Sequence, residues 1–183
     1  SLDKVNSTAL QPGDKVLFKR GQVWRGSIVV THSGEVNNPI TYGAYGDGEN
    51  PIISRTIEFD DWSIVNGLTT SDAESKIWQG SIPDIKNSWG AVLNGKRVNN
   101  YPQRTMPLES MLDGYFYSPP GAYIFYYRND AGKPPAMEIG AYRYGIYLDG
   151  VENIIISNID VTGPGGGSKE AGNVVALISI HNL

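Results

Sequence analysis

A short pattern near the end of this chain returns after a fixed interval, and few folds can use such a return. Ile146-Tyr147-Leu148-Asp149-Gly150-Val151 is matched thirty-two positions later by Ile178-Ser179-Ile180-His181-Asn182-Leu183. Both read apolar, polar, apolar, then a polar pair, then apolar. Between them, Asn153-Ile154-Ile155-Ile156-Ser157-Asn158-Ile159-Asp160-Val161 supplies two more β-branched stretches joined by Ser-Asn. Short strands returning at intervals of roughly 20–30 residues mark a coil stacked on itself, a β-solenoid. Its interior is expected to be filled by Ile146, Leu148, Ile154, Ile156, Ile159, Val161, Ile178 and Ile180. The last repeat stops in mid-coil, so the chain reads as the opening part of a longer protein. Its open end then calls for further coils, a capping partner or self-association, because stacked strand edges are sticky.

Upstream, Gln11-Pro12-Gly13-Asp14 is a turn in which Pro fixes φ and Gly adopts the conformation required next to it. Lys15–Lys19 then forms a strand with Val16 and Phe18 on one face and Leu17 on the other. Ser27–Val30, Pro39–Tyr42 and Pro51–Ser54 are further short strands between Gly- and Asn-rich turns. Thr56–Val65 reads as an early copy of the later repeat, with Ile57 and Phe59 matching Ile146 and Leu148. The division expected is a cap and first coils over 1–66, a β-rich insertion over 67–144, and further coils over 145–183. Inside the insertion, Asn94-Gly95 between apolar stretches signals a hairpin. Pro107–Leu112 is the one helical candidate, a single turn at most.

Composition narrows the partners. A net charge of -4 and a pI near 5.1 argue against nucleic acid, which calls for a basic face. No window of 18 apolar residues exists to span a membrane. Without cysteine there are no disulfides and no thiolate metal sites, a usage that fits secreted bacterial proteins. Gly163–Ser168 fails as a phosphate cradle, since no Gly-Lys-Ser/Thr comes after it.

Three stretches, Leu10–Gly21, Trp24–Ser27 and Asn38–Gly46, together with the repeats at 145–162 and 176–183, resemble the N-terminal region of right-handed parallel β-helix proteins. That group contains pectate-lyase-like polysaccharide lyases and related hydrolases. The resemblance covers Leu10 to Leu183 and implies an all-β fold, the first turns and N-terminal cap of a right-handed parallel β-helix with a small β-rich insertion. It implies a secreted, carbohydrate-active parent. The catalytic residues of the group sit on middle turns that this chain does not include, so none is carried onto it.

The chemistry-bearing residues divide by type. Asp60, Asp61 and Asp149 are the carboxylates that could hold calcium or act as acid and base; otherwise they are turn residues, a role Asp favours in its own right. No other cofactor is called for. His32 and His181 lie in no zincin or serine-hydrolase context and read as solvated turn residues, although His181 could face a groove. The aromatic residues carry more. Sugar rings present apolar C–H faces on which aromatic side chains stack while polar neighbours bond the hydroxyls. Trp89, Tyr101, Arg104, Tyr115, Tyr117, Tyr126 and Arg128 are the candidates for such a surface; a structural, packed role is the alternative for each aromatic. Tyr123, Phe125 and Tyr127 share one face of a strand and Ile124 and Tyr126 the other, and one of those faces must be core. If Arg97, Arg104, Arg128 and Arg143 converge, they suit an acidic polysaccharide; scattered surface arginines are the alternative.

Three functions are compatible with these residues. The first is recognition of a polysaccharide without catalysis by this chain. The second is part of a polysaccharide lyase or glycoside hydrolase whose catalytic residues lie mostly beyond residue 183. The third is a structural coil cap.

Overall fold

The computed structural model describes residues 1–68, 76–86, 88–101, 107–148 and 150–164. Among them the protein is all-β, with one short helix, α1 (Leu2–Ser7), and one 3-10 turn, Leu108–Ser110. The chain forms two units. The first contains Ser1–Arg55 and Tyr144–Gly163, and the second contains Thr56–Arg143.

The first unit opens with α1, β1 (Lys15–Lys19), β2 (Val23–Arg25), β3 (Ile28–Val30), β4 (Ile40–Tyr45) and β5 (Ile52–Ser54). The second unit supplies β6 (Thr56–Phe59), β7 (Ser63–Ile64), β8 (Ile77–Ser81), β9 (Ala91–Leu93), β10 (Lys96–Arg97) and β11 (Asn99–Asn100). It continues with β12 (Tyr115–Tyr117), β13 (Ile124–Arg128) and β14 (Met137–Gly140). The chain then returns to the first unit with β15 (Ile146–Leu148), β16 (Ile154–Ile156) and β17 (Asp160–Thr162).

In the first unit the described strands pair with one another in parallel, and an isolated antiparallel bridge joins Glu35 to Asn38. The sheets run β1-β4-β16, β2-β5-β17 and β3-β15, so the chain visits the three in rotation. Alternation along each strand decides the register, because a slip of one residue would turn every apolar side chain outward. Val16 pairs with Tyr42 and Tyr42 with Ile156; Trp24 pairs with Ile53 and Ile53 with Val161; Ile28 pairs with Ile146. Inward residues thus stack on inward residues, giving a core of Phe18, Ile28, Val30, Ile40, Tyr42, Ile53 and Ile146. Ile28, Ile40 and Ile53 are fully enclosed, each burial stabilising by roughly 1.5–3 kcal/mol. Leu17 faces outward and is exposed, as its alternation with Val16 and Phe18 requires.

α1 covers one edge of this core. Ser1 caps it by accepting the Lys4 N–H at 3.4 Å, and Leu2 is buried beside Gly26. The Asn6 carboxamide donates to the Ser27 carbonyl and accepts the Val29 N–H, both at 2.9 Å. It therefore gives the edge strand β3 the partners a neighbouring strand would supply.

The second unit is mainly antiparallel, in the sheets β10-β9-β14-β6 and β11-β12-β13-β8-β7, with β11 and β12 parallel. Asn94 and Gly95 both take positive φ, 51° and 73°, and join β9 to β10 in the hairpin the sequence signals. The core includes Phe59, Trp62, Phe116, Phe125, Tyr127, Met137 and Ile139. Thr56–Val65 is not a copy of the later repeat. Ile57 and Phe59 pair antiparallel with Ile139 and Met137, whereas Ile146 and Leu148 pair parallel with Ile28 and Val30. The two stretches share an alternation, and alternation does not specify the partner strand.

Candidate functional site

The face left open on strand β13 is now fixed. Phe125 and Tyr127 enter the core of the second unit; Ile124, Tyr126 and Arg128 face the other way. On β12 the same alternation buries Phe116 and turns Tyr115 and Tyr117 to Tyr126's side. Pairing then aligns a row across three strands, because Tyr117 lies opposite Tyr126 and Tyr126 opposite Gln79 of β8. Ser63 of β7 extends the row beyond Gln79.

Four of the candidate tyrosines meet here. The rings of Tyr117 and Tyr126 stack at 6.1 Å with planes 14° apart. Tyr101 meets Tyr115 and Tyr117 edge-on, at 6.4 Å each. Tyr101 is only 6% exposed, and with Ile77 and Met111 it forms a floor rather than a contact surface. Tyr115, Tyr117 and Tyr126 are half-buried and pack against that floor. Burial raises the phenol pKa of Tyr101, and burial together with neighbouring Tyr126 raises that of Tyr117, so both stay neutral hydrogen-bonding groups at physiological pH.

Arg128 closes one side of the row, and its guanidinium is engaged. Nε donates to Asp130 Oδ1 at 2.7 Å, the terminal nitrogens to Asp130 Oδ2 at 3.3 Å and to the Met111 carbonyl at 2.7 Å. The hydrogen bond from Arg128 holds the Asp130 carboxyl below the usual range. The Asp113 carboxylate accepts the Asp130 N–H at 2.8 Å.

The remaining candidates fall elsewhere. Trp89 donates its backbone N–H to Gly140 and carries the Arg143 guanidinium 6.0 Å from its ring centre. The preceding Ser88 N–H bonds Ser118 Oγ at 3.1 Å, tying this segment to the residue after β12. Of the candidate arginines, Arg97 is exposed on β10, while Arg128 on β13 is held by Asp130 and Arg143 lies against Trp89. Asp60 and Asp61 are exposed after β6, where the Asp60 carbonyl accepts the Trp62 N–H. His32 sits beside Thr31, with Nδ1 3.0 Å from the hydroxyl oxygen. Arg104, Asp149, Ile178, Ile180 and His181 lie outside the described residues. Among the described residues no three His, Cys, Asp or Glu side chains gather as a metal site would need. Gln79 and Ser63 are the members of the row that sequence reasoning missed. A lone Gln in a strand gains meaning only through its cross-strand partner Tyr126.

No protein-family model and no curated protein matches this sequence. Solved structures do resemble the fold. One, described as the complex of XylC with xylose, is 18% identical with a TM-score of 0.56, over 84% of this chain and 30% of that one. A second, described as a glycoside hydrolase, is 11% identical with a TM-score of 0.50, over 87% of this chain and 44% of that one. A GH136 lacto-N-biosidase from Eubacterium ramulus aligns over 93% of this chain and 18% of its own at 22% identity, but its TM-score of 0.41 carries no argument. The chain thus spans less than half the length of each of these structures. At such identities the likeness to the first two is one of fold.

Proposed function

We propose that this chain is a glycan-recognising part of a secreted carbohydrate-active protein, non-catalytic by itself, and that its first unit is the start of a right-handed parallel β-helix. Three parallel sheets visited in rotation support the fold reading, and crossovers between parallel strands are right-handed in nearly all proteins. The likeness in fold to XylC and to a protein described as a glycoside hydrolase agrees with the carbohydrate reading. The single observation that carries it is the stacked, half-buried pair Tyr117 and Tyr126, standing in a row with the amide of Gln79. Partly exposed aromatic rings beside a donor–acceptor amide suit a sugar's C–H face and hydroxyls.

The test is depletion of the protein from solution by a panel of insoluble and gel-immobilised polysaccharides. Selective depletion by one polymer, lost in Tyr117→Ala and Tyr126→Ala, is the expected result. Absence of depletion by any polymer overturns the reading and leaves a coil cap. Release of reducing sugar by this chain alone overturns its non-catalytic part.

A further inference from the structure

We infer that the row of Tyr117, Tyr126 and Gln79 takes a neutral glycan rather than a uronic-acid polymer, with Gln79 as its specificity-determining residue. This inference rests on the glycan-binding reading above and adds the chemical class of the ligand.

Charge is the first ground. The row itself is uncharged: two phenols, a carboxamide and the Ser63 hydroxyl. The cation on that sheet face, within β8, β12 and β13, is Arg128, whose fork is filled from inside the protein. Asp130 occupies two of its nitrogens in the bidentate arrangement that a uronate carboxylate would need, and the Met111 carbonyl takes a third contact. A uronate would have to displace a carboxylate held two residues along the same chain, an exchange in which an intramolecular partner has the advantage of effective concentration. It would also approach Asp113, whose carboxylate already accepts from the Asp130 backbone. Among the described residues of β8, β12 and β13, the row therefore offers no cation whose contacts are not already made within the protein.

Hydrogen-bond chemistry is the second. A sugar hydroxyl both donates and accepts, and a carboxamide offers one acceptor and two donors. Gln79 sits directly opposite Tyr126, at the end of the stacked pair, and is half-buried. A ring lying on the tyrosines would bring equatorial hydroxyls to that amide.

Affinity electrophoresis of the whole chain through gels containing a neutral polymer (galactan, mannan or mixed-linkage glucan) or polygalacturonate tests this. The wild type is expected to be retarded by a neutral polymer and not by polygalacturonate. Gln79→Ala should weaken the neutral retardation about fivefold, the equivalent of one hydrogen bond of about 1 kcal/mol. Asp130→Ala, which removes the carboxylate paired with Arg128, should gain retardation by polygalacturonate. Retardation of the wild type by polygalacturonate but by none of the neutral polymers overturns this inference while leaving glycan binding standing. Unchanged neutral retardation in Gln79→Ala removes that residue from the inference. No retardation in any gel overturns the glycan-binding reading and this inference with it.

Discussion

Replacing Gly80 with alanine sets two opposed effects against each other, and the packing of the second unit decides between them. Gly80 lies in β8 without a left-handed φ, so alanine fits the backbone there. On that ground alone the substitution would stabilise by about 0.4–1 kcal/mol, through a less flexible unfolded chain. A Cβ at this position, however, would come 2.5 Å from two ring carbons of Phe59 and 2.7 Å from Phe125. Carbon atoms prefer about 3.5–4.0 Å, so the overlap is about 1 Å on two sides. Neither ring can yield alone. Phe59 stands edge-on to Phe125 at 4.9 Å and to Trp62 at 5.0 Å, and Trp62 meets Phe125 at 5.5 Å. Overpacking costs of about 1–3 kcal/mol are usual, and three interlocked rings place this case at the upper end. The net expectation is a loss of about 2 kcal/mol. Urea unfolding followed by near-ultraviolet circular dichroism measures it, with a weakened aromatic signal in the folded variant as a second readout. A loss under about 0.5 kcal/mol, or a gain, would refute the ring packing on which the account of the second unit depends.

Two further outcomes rest on named groups. Asn6→Ala should destabilise by about 2 kcal/mol, since the Val29 N–H and the Ser27 carbonyl each lose a partner worth about 1 kcal/mol; Asn6→Asp, which keeps the acceptor for Val29 but loses the donor to Ser27, should recover part of it in the same unfolding experiment. Burial pushes the phenols of Tyr42, Tyr101 and Tyr127 up, and burial with Tyr126 does the same for Tyr117. Their contribution is fully present below the unfolded tyrosine value of about 10, and is lost as pH rises through the higher folded values. Stability should therefore fall above about pH 10, with a fraction of the phenolate absorbance titrating later than the rest. Titration of all 11 tyrosines as one population would contradict that. Asp130 acts at the other end, because Arg128 holds its folded value down. Its contribution is present above about pH 4 and is lost as pH falls through the depressed value.

How far the sequence revealed this differs from element to element. Val16, Phe18, Ile28, Val30, Ile154 and Ile156 announce their strands because β-branched and aromatic residues at period two leave one face to bury. Asn94-Gly95 announces its hairpin because both positions tolerate positive φ. Thr56–Phe59 carries the same alternation yet pairs antiparallel with β14, a choice that distant contacts make. α1 escaped notice because six residues give too little periodicity; its hold on β3 comes from one carboxamide. At the candidate site, alternation on β13 showed two faces but not which was core. Phe59 and Trp62, packed on Phe125, settle that question from far along the chain. Gln79 was invisible for the same reason, since only the register of β8 against β13 brings it opposite Tyr126.

The claim at the centre is that the Tyr117–Tyr126 pair is a surface for sugar. It is tested most directly by the affinity of Tyr126→Ala for the polymer that retains the wild type, measured beside Tyr45→Ala. Tyr45 is an exposed tyrosine of the first unit, outside the row. Losing one stacked ring is expected to weaken binding about tenfold in Tyr126→Ala, from about 1.4 kcal/mol of contact, with Tyr45→Ala binding as the wild type does. Equal affinity of Tyr126→Ala and wild type, with the fold intact by circular dichroism, would contradict the claim.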